Sequence, residues 1–283
     1  MTFPVEFAEG LLSPLIKGED GIWRLKIGEA SRVSYPIGGA SLYSGIEEGS
    51  WWFNHRNAII ISAIRHFPAA GPIWDIGGGN GFVARALHEE GRQAVLVEAG
   101  LESCYRAHIR GLALVINAAF EDLIFRPGGI AAAGLFDVLE HVQNRKGFLQ
   151  RLHSALDGKI KGRLYVTVPA HAVLWSKEDD WAGHYNRFSQ RRLKNELEAS
   201  GFKLIFESFF FSWLSPSIFL ARTLPHRINR LMRMKPRISP QGVTAIHKHY
   251  VKSAMRFFTH EVVKIEKGKR IRRGASLLAI GEA

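Results

Sequence analysis

The chain has one cysteine, Cys104, in 283 residues. A single thiol excludes an internal disulfide framework and a cysteine-built zinc centre, and its place in a helical stretch marks it as inert. No apolar run is long enough to cross a bilayer. The most apolar one, 208–221, is short and contains Pro216. It reads as a sheet strand followed by a packing helix, or as a segment lying on a membrane surface. Met1 to Gly10 carries two glutamates and no basic n-region, so the expectation is a cytoplasmic protein. No internal repeat is present. Acids are nearly missing from one stretch. From Leu220 to Arg273 there are 15 Lys/Arg against Glu261 and Glu266, a net +13. The whole chain is +12, which leaves the rest at about −1. A stretch of that sign attracts phosphate, whether on lipid headgroups, sugar phosphates or nucleic acid, or else is a solvated face.

What remains is ordinary enough to fold. Hydrophobic residues make up 46% of the chain and charged residues 23%, as in a soluble globular protein. The length supports one sizeable core with appendages.

The most informative stretch is Ile73-Trp-Asp-Ile-Gly-Gly-Gly-Asn-Gly-Phe82. It predicts a buried strand, a glycine turn and a helix over 83–90. Glycine lets the backbone turn sharply and approach a ligand. The helix N-terminus behind it offers N–H groups and a positive dipole end. A second apolar run, Ala94-Val-Leu-Val97, ends in Glu98, where a carboxylate can accept from both hydroxyls of a ribose. These features predict a nucleoside-containing cofactor in an α/β fold. The dinucleotide fingerprint G-x-G-x-x-G fails at its third glycine, where Phe82 stands.

The rest of the chain alternates strand and helix, with strands predicted near 73, 94, 112, 131, 163 and 203 and a last one near 276–281. Alternation implies a mostly parallel sheet with helices on both faces, and a ligand at the carboxyl ends of its strands. The predicted division is a small β-rich segment over 1–50, a core over 51–212, a basic helical insertion over 213–273 and a last core strand over 274–283. The helix opening at Trp51-Trp-Phe-Asn-His-Arg56 either lies over the cofactor or anchors the N-terminal segment, with Arg56 at the surface.

The spacing Asp75-x-Gly77-x-Gly79-x-Gly81 resembles motif I of class I S-adenosylmethionine-dependent methyltransferases of the type 11, ubiquinone-methyltransferase-like kind. Further segments fit in order: Asn117-Ala-Ala-Phe-Glu-Asp-Leu123, Phe136-Asp-Val-Leu-Glu-His-Val142, Arg163-Leu-Tyr-Val-Thr-Val-Pro169 and Gly183-His-Tyr-Asn-Arg-Phe-Ser189. The resemblance covers about 51–211 together with the final strand. It implies a seven-stranded Rossmann-like sheet and S-adenosylmethionine as cofactor. The implied cofactor residues are Arg56, Asp75, Gly77, Gly79, Glu98, Ala99, Ala119, Phe120, Glu121 and Asp137. Among them Arg56 would meet the methionine carboxylate, Glu98 the ribose and Phe120 the adenine. Ala119 departs from the family, which commonly has an acid there. Residues 12–38 resemble a zinc ribbon that has lost its cysteines, with Ser13 and Ser34 near the expected ligand positions.

Methyl transfer from a sulfonium is an in-line displacement in which the protein aligns the nucleophile and excludes water. A hydroxyl acceptor also needs a base. The candidate bases are His141 and His184, each with a structural hydrogen bond as its alternative role. Trp181, Tyr185 and Arg187 are candidate substrate residues, and 175–181 is a candidate lid. No metal is expected, although the resemblance offers Asp137, Glu140 and His141 as ligands for a divalent ion. The leading expectation is methyl transfer to a small, saccharide or lipid-linked acceptor, anionic and attacked at oxygen, with peripheral membrane contact through 205–273 at the inner surface. An RNA methyltransferase is the first alternative, although no N-P-P-[YF] motif is present. A non-catalytic binding protein that keeps the fold is the second.

Overall fold

Short apolar runs separated by glycine and polar turns set the framework, and they fold into one sheet. The computed structural model describes residues 4, 9–26, 49–232 and 251–283, with side chains of 251–256 excepted. Nine strands are described: β1 (Leu15–Lys17), β2 (Trp23–Leu25), β3 (Ile73–Ile76), β4 (Ala94–Glu98), β5 (Val115–Asn117), β6 (Ala132–Phe136), β7 (Arg163–Pro169), β8 (Lys203–Phe210) and β9 (Ser276–Glu282). They lie in the order β1-β2-β5-β4-β3-β6-β7-β9-β8. From β5 through β7 the ladders are parallel, and β9 runs antiparallel between β7 and β8. The central strands β3 and β6 are buried along their whole length, as expected of strands covered by helices on both faces.

The helices are α1 (Trp51–His66), α2 (Phe82–Glu89), α3 (Leu101–Ile109), α4 (Arg145–Leu156), α5 (Lys177–Ala182), α6 (Gln190–Glu198), α7 (Leu214–Ile218), α8 (Leu224–Leu231) and α9 (Val251–Glu266). A π-helical turn, Phe219–Thr223, joins α7 to α8.

Two expectations change. The sheet has two more strands than the seven predicted, because β2 pairs in parallel with β5 (Trp23 beside Ile116) and carries β1 with it. The N-terminal hairpin is thus an extension of the core sheet. Ser13, read as a relic ligand position, instead accepts the Ile124 N–H at 2.8 Å; Ser34 lies outside the described residues. The aromatic start of α1 is an anchor, but for the C-terminal part. Trp52 stacks on Phe211 at 3.9 Å and Trp51 on Phe258 of α9 at 5.2 Å between ring centres.

Beneath those rings a buried polar clasp joins α1, the end of β8 and α9. His55 Nε2 lies 2.8 Å from Glu261 Oε2, both side chains 3% exposed. Glu261 also accepts the N–H groups of Phe211 (2.9 Å) and Ser212 (2.7 Å) and the Ser212 hydroxyl. Burial opposes the charge on Glu261, yet these donors hold its pKa below the ordinary value. Phe211 sits at φ +58°, a costly conformation for a bulky residue that Glu261 helps to hold. Glu261→Ala would strand His55 and two amides. We expect a loss of about 3 kcal/mol or more, measured as a lower urea midpoint.

Candidate active site

The carboxyl edge of the sheet gathers the residues that the sequence singled out. The turn from β3 to α2 places Gly77, Gly79 and Gly81 at positive φ (+69°, +55° and +75°). A Cβ on Gly79 would meet nothing within 4 Å, so this side of the turn is open toward a ligand. A Cβ on Gly81 would come within 2.6 Å of Leu112 and 2.8 Å of Ala107. That glycine therefore lets α2 start against α3.

Glu98 closes β4 and is tied to the same turn. Its two carboxylate oxygens accept the Gly79 N–H (3.0 Å) and the Gly100 N–H (2.7 Å). Burial raises its pKa against those amides. The backbone oxygens of Glu98 and Ala99 accept from Asn117 Nδ2 at 3.1 and 2.9 Å, which fixes the strand end beside β5. Asp75, one residue before the end of β3, is fully buried, and neither carboxylate oxygen has a hydrogen-bond partner. Burial pushes its pKa up to about 7, against the pull of the Arg56 charge.

Asp137 follows β6 with φ +60°. One carboxylate oxygen accepts from Thr167 Oγ1 (3.1 Å) and the other from Arg56 Nη1 (2.6 Å). Arg56 is therefore not at the surface; α1 delivers it to the same edge, its side chain 12% exposed. A strained non-glycine residue held by two side chains from distant elements is a common mark of a functional site.

The loop after β5 departs from expectation. The Phe120 ring is 3% exposed and packs against Phe148 (4.9 Å) and Phe125 (5.7 Å). It belongs to the core and does not present a face to an adenine. Ala119, which begins this 3₁₀ turn, and exposed Glu121 stay at the edge.

The fourth group stands beyond β6 and β7. Glu140 is 1% exposed, and its Oε2 has no hydrogen-bond partner. Burial and the Asp137 carboxylate push its pKa well above the ordinary range. The His141 and His184 rings lie 4.8 Å apart, edge to face. Burial and His184 lower the His141 pKa to about 4, so at neutral pH this imidazole is uncharged. His184 Nδ1 lies 2.8 Å from Asp179 Oδ1. Asp179, 1% exposed, also accepts from Arg187 Nε (2.8 Å) and from the Ser176 backbone N–H (2.8 Å). Burial works to raise its pKa, but His184 and Arg187 hold it down at about 2. Arg187, expected to meet substrate, is thus committed to Asp179 and to the Ala170 carbonyl (3.2 Å). Tyr185 is 42% exposed and accepts from Gln143 Nε2. Trp181 is half-buried on α5.

Among the described residues, the ligand atoms of Glu140, His141 and His184 lie within 4.8 Å of one another. Asp137, which the resemblance offered beside Glu140 and His141, stands outside this group and accepts from Arg56 and Thr167 instead. One carboxylate and two imidazoles form a donor set suited to a divalent transition metal. Asp179 was missed by the sequence reading. The Ser176-x-x-Asp179 spacing, a capping box that opens α5, was the signal for it.

Residues 54–206, just over half of the chain, match the family described as "Methyltransferase domain". No curated protein matches by sequence. The fold is similar to an S-adenosylmethionine-dependent methyltransferase from Archaeoglobus fulgidus (14% identity, TM-score 0.50, 80% of this chain and 92% of that one). It is also similar to phosphoethanolamine N-methyltransferase 2 from Haemonchus contortus with bound S-adenosylmethionine (17%, 0.55, 88% and 58%), of which it spans a little over half. A third likeness is to geranyl diphosphate C-methyltransferase from Streptomyces coelicolor A3(2), crystallised with Mg2+ (12%, 0.50, 79% and 77%). With the glycine turn, Glu98 and the β5-β4-β3-β6-β7-β9-β8 order in place, the chain belongs to the S-adenosylmethionine-dependent methyltransferases.

Proposed function

We propose that this protein transfers the methyl group of S-adenosylmethionine to an oxygen of a small, saccharide or lipid-linked acceptor that carries an anionic group. The observation that carries the reading is the Asp179–His184 pair set at the same sheet edge as Glu98 and the glycine turn. The edge fits the cofactor. Gly79 leaves room for close approach, Glu98 presents a carboxylate for ribose hydroxyls, and Asp75 is a buried acid still lacking a donor. Arg56, held by Asp137, offers a cation for a carboxylate. When bound, the cofactor supplies an activated sulfonium methyl.

The protein's part is to orient the acceptor, exclude water and take a proton. His184 suits the last task. Its Nδ1 faces Asp179, which fixes the ring and leaves Nε2 as the proton acceptor, as in other carboxylate-oriented histidines. His141 is disfavoured because burial makes its charged form costly. Arg222, 3.9 Å from Glu178 of α5, and Arg227, which donates to the Val173 carbonyl, bring positive charge beside that segment for an anionic acceptor.

Isothermal titration with S-adenosylmethionine and its demethylated product tests the cofactor half. Dissociation constants on the order of micromolar are expected, and folded protein that binds neither would refute the reading. A methyl-transfer screen over phosphorylated saccharides and lipids tests the other half.

A further inference from the structure

The structure points to a second surface. We infer that the helical rod 214–232 docks in the headgroup layer of an anionic membrane, with the active-site edge turned toward the lipid.

The rod is continuous: α7, the π-helical turn and α8 follow one another without a break. Its inner side is fastened down. Leu214 and Ile218 are 5% and 8% exposed and Thr223 is fully buried. Arg222 lies 3.9 Å from Glu178, His226 lies 3.4 Å from Asp180, and Arg227 donates to the Val173 carbonyl at 3.2 Å. Its outer side is apolar and, among the described residues, exposed. Leu220, Leu224, Ile228, Leu231 and Met232 are 63%, 39%, 42%, 84% and 67% exposed. Leu220, Leu224 and Ile228 recur at steps of four, and Leu231 and the C-cap Met232 follow three and four positions after Ile228, which places them along one helical face. Single exposed leucines need no explanation, but a stripe of five large apolar side chains in register does. Near the root of the rod Phe257 of α9 is 56% exposed, its ring 6.2 Å from that of Trp213.

Charge selects the occupant. Arg222, Arg227 and Arg230 give the rod three positive charges and no acid, and Arg227 and Arg230 flank the stripe. A second copy would set like charge against like, which repels. An anionic bilayer offers hydrocarbon for the stripe and phosphate for the arginines, the combination that holds interfacial helices. Insertion across the bilayer is not implied: no described helix is long and apolar enough to cross a membrane.

Orientation follows from the sheet. β7 and β8 are both antiparallel to β9, so β8 ends at the same edge as β7. The rod therefore starts from the active-site edge and is pinned to the segment that bears Asp179. Docking would place that edge against the headgroups, which suits a phosphate-bearing amphiphile as acceptor. This last step rests on the proposed function; the docking does not.

The test is flotation of the full chain with vesicles of phosphatidylcholine alone, or with about a third phosphatidylglycerol. The protein should float with the anionic vesicles, float less as salt rises, and stay behind with the neutral ones. Leu224→Asp with Ile228→Asp should weaken partition by at least about tenfold, and Arg230→Glu should weaken it less. Both variants should keep wild-type S-adenosylmethionine affinity, which shows that they fold. The inference fails if wild type ignores anionic vesicles, or if the double variant floats as well as wild type. It also fails if that variant instead abolishes a concentration-dependent self-association seen by sedimentation. Loss of flotation with intact cofactor binding would remove the docking surface alone. Flotation without cofactor binding would remove the proposed function alone.

Discussion

Glu98→Ala is expected to weaken S-adenosylmethionine binding by at least about a hundredfold, because hydrogen bonds to a charged group contribute roughly 1.5–3 kcal/mol each and a ribose offers two hydroxyls. The carboxylate is already held by the Gly79 and Gly100 amides, so its direction is set before the ligand arrives and little ordering cost remains. Those bonds also mean that the variant loosens the glycine turn. Glu98→Gln separates the two effects, since an amide oxygen can still accept from one backbone N–H while the charge is lost. Calorimetry on both, read beside their melting temperatures, should show Glu98→Gln between wild type and alanine in affinity and in stability, since one backbone N–H then loses its acceptor. Undiminished affinity in Glu98→Ala would move the nucleoside away from the end of β4.

How legible this site was depended on the distance over which each contact acts. The glycine turn, the apolar strand before it and Glu98 form a local pattern, and backbone geometry turns such a pattern into a site with little help. Phe120 was misplaced because a three-residue 3₁₀ turn has no periodicity that tells which way a ring points; packing against Phe125 and Phe148 decided it. The hairpin β1–β2 read as an appendage because its strands are three residues each, and its pairing with β5 spans more than 90 positions. The same limit hid Arg56 with Asp137, 81 positions apart, and His55 with Glu261, 206 apart. It also hid the cluster of Glu140, His141 and His184. Asp137, Glu140 and His141 are neighbours in sequence, but a left-handed turn at Asp137 sends its carboxylate to Arg56, and His184 comes in from beyond β7.

The choice between the two histidines leads to the second large effect. His184→Gln should lower kcat for methyl transfer by about 10²- to 10⁴-fold, the usual contribution of a positioned general base, with S-adenosylmethionine affinity unchanged. His141→Gln should stay within about tenfold of wild type, because an imidazole whose pKa burial lowers to about 4 is poorly disposed to take a proton. Asp179 acts through His184. Asp179→Asn should reduce kcat while leaving KM for the cofactor in place, since an amide can donate to Nδ1 and so hold the ring in the tautomer that blocks Nε2 from accepting. That variant also weakens the bond to Arg187 and the cap of α5, so a fall in stability is expected beside the kinetic one. Arg187→Lys serves as its control, disturbing the same cluster without touching the tautomer. A kcat loss in Arg187→Lys as large as in Asp179→Asn would make Asp179 merely structural, and a loss in His141→Gln equal to that in His184→Gln would assign the base to His141.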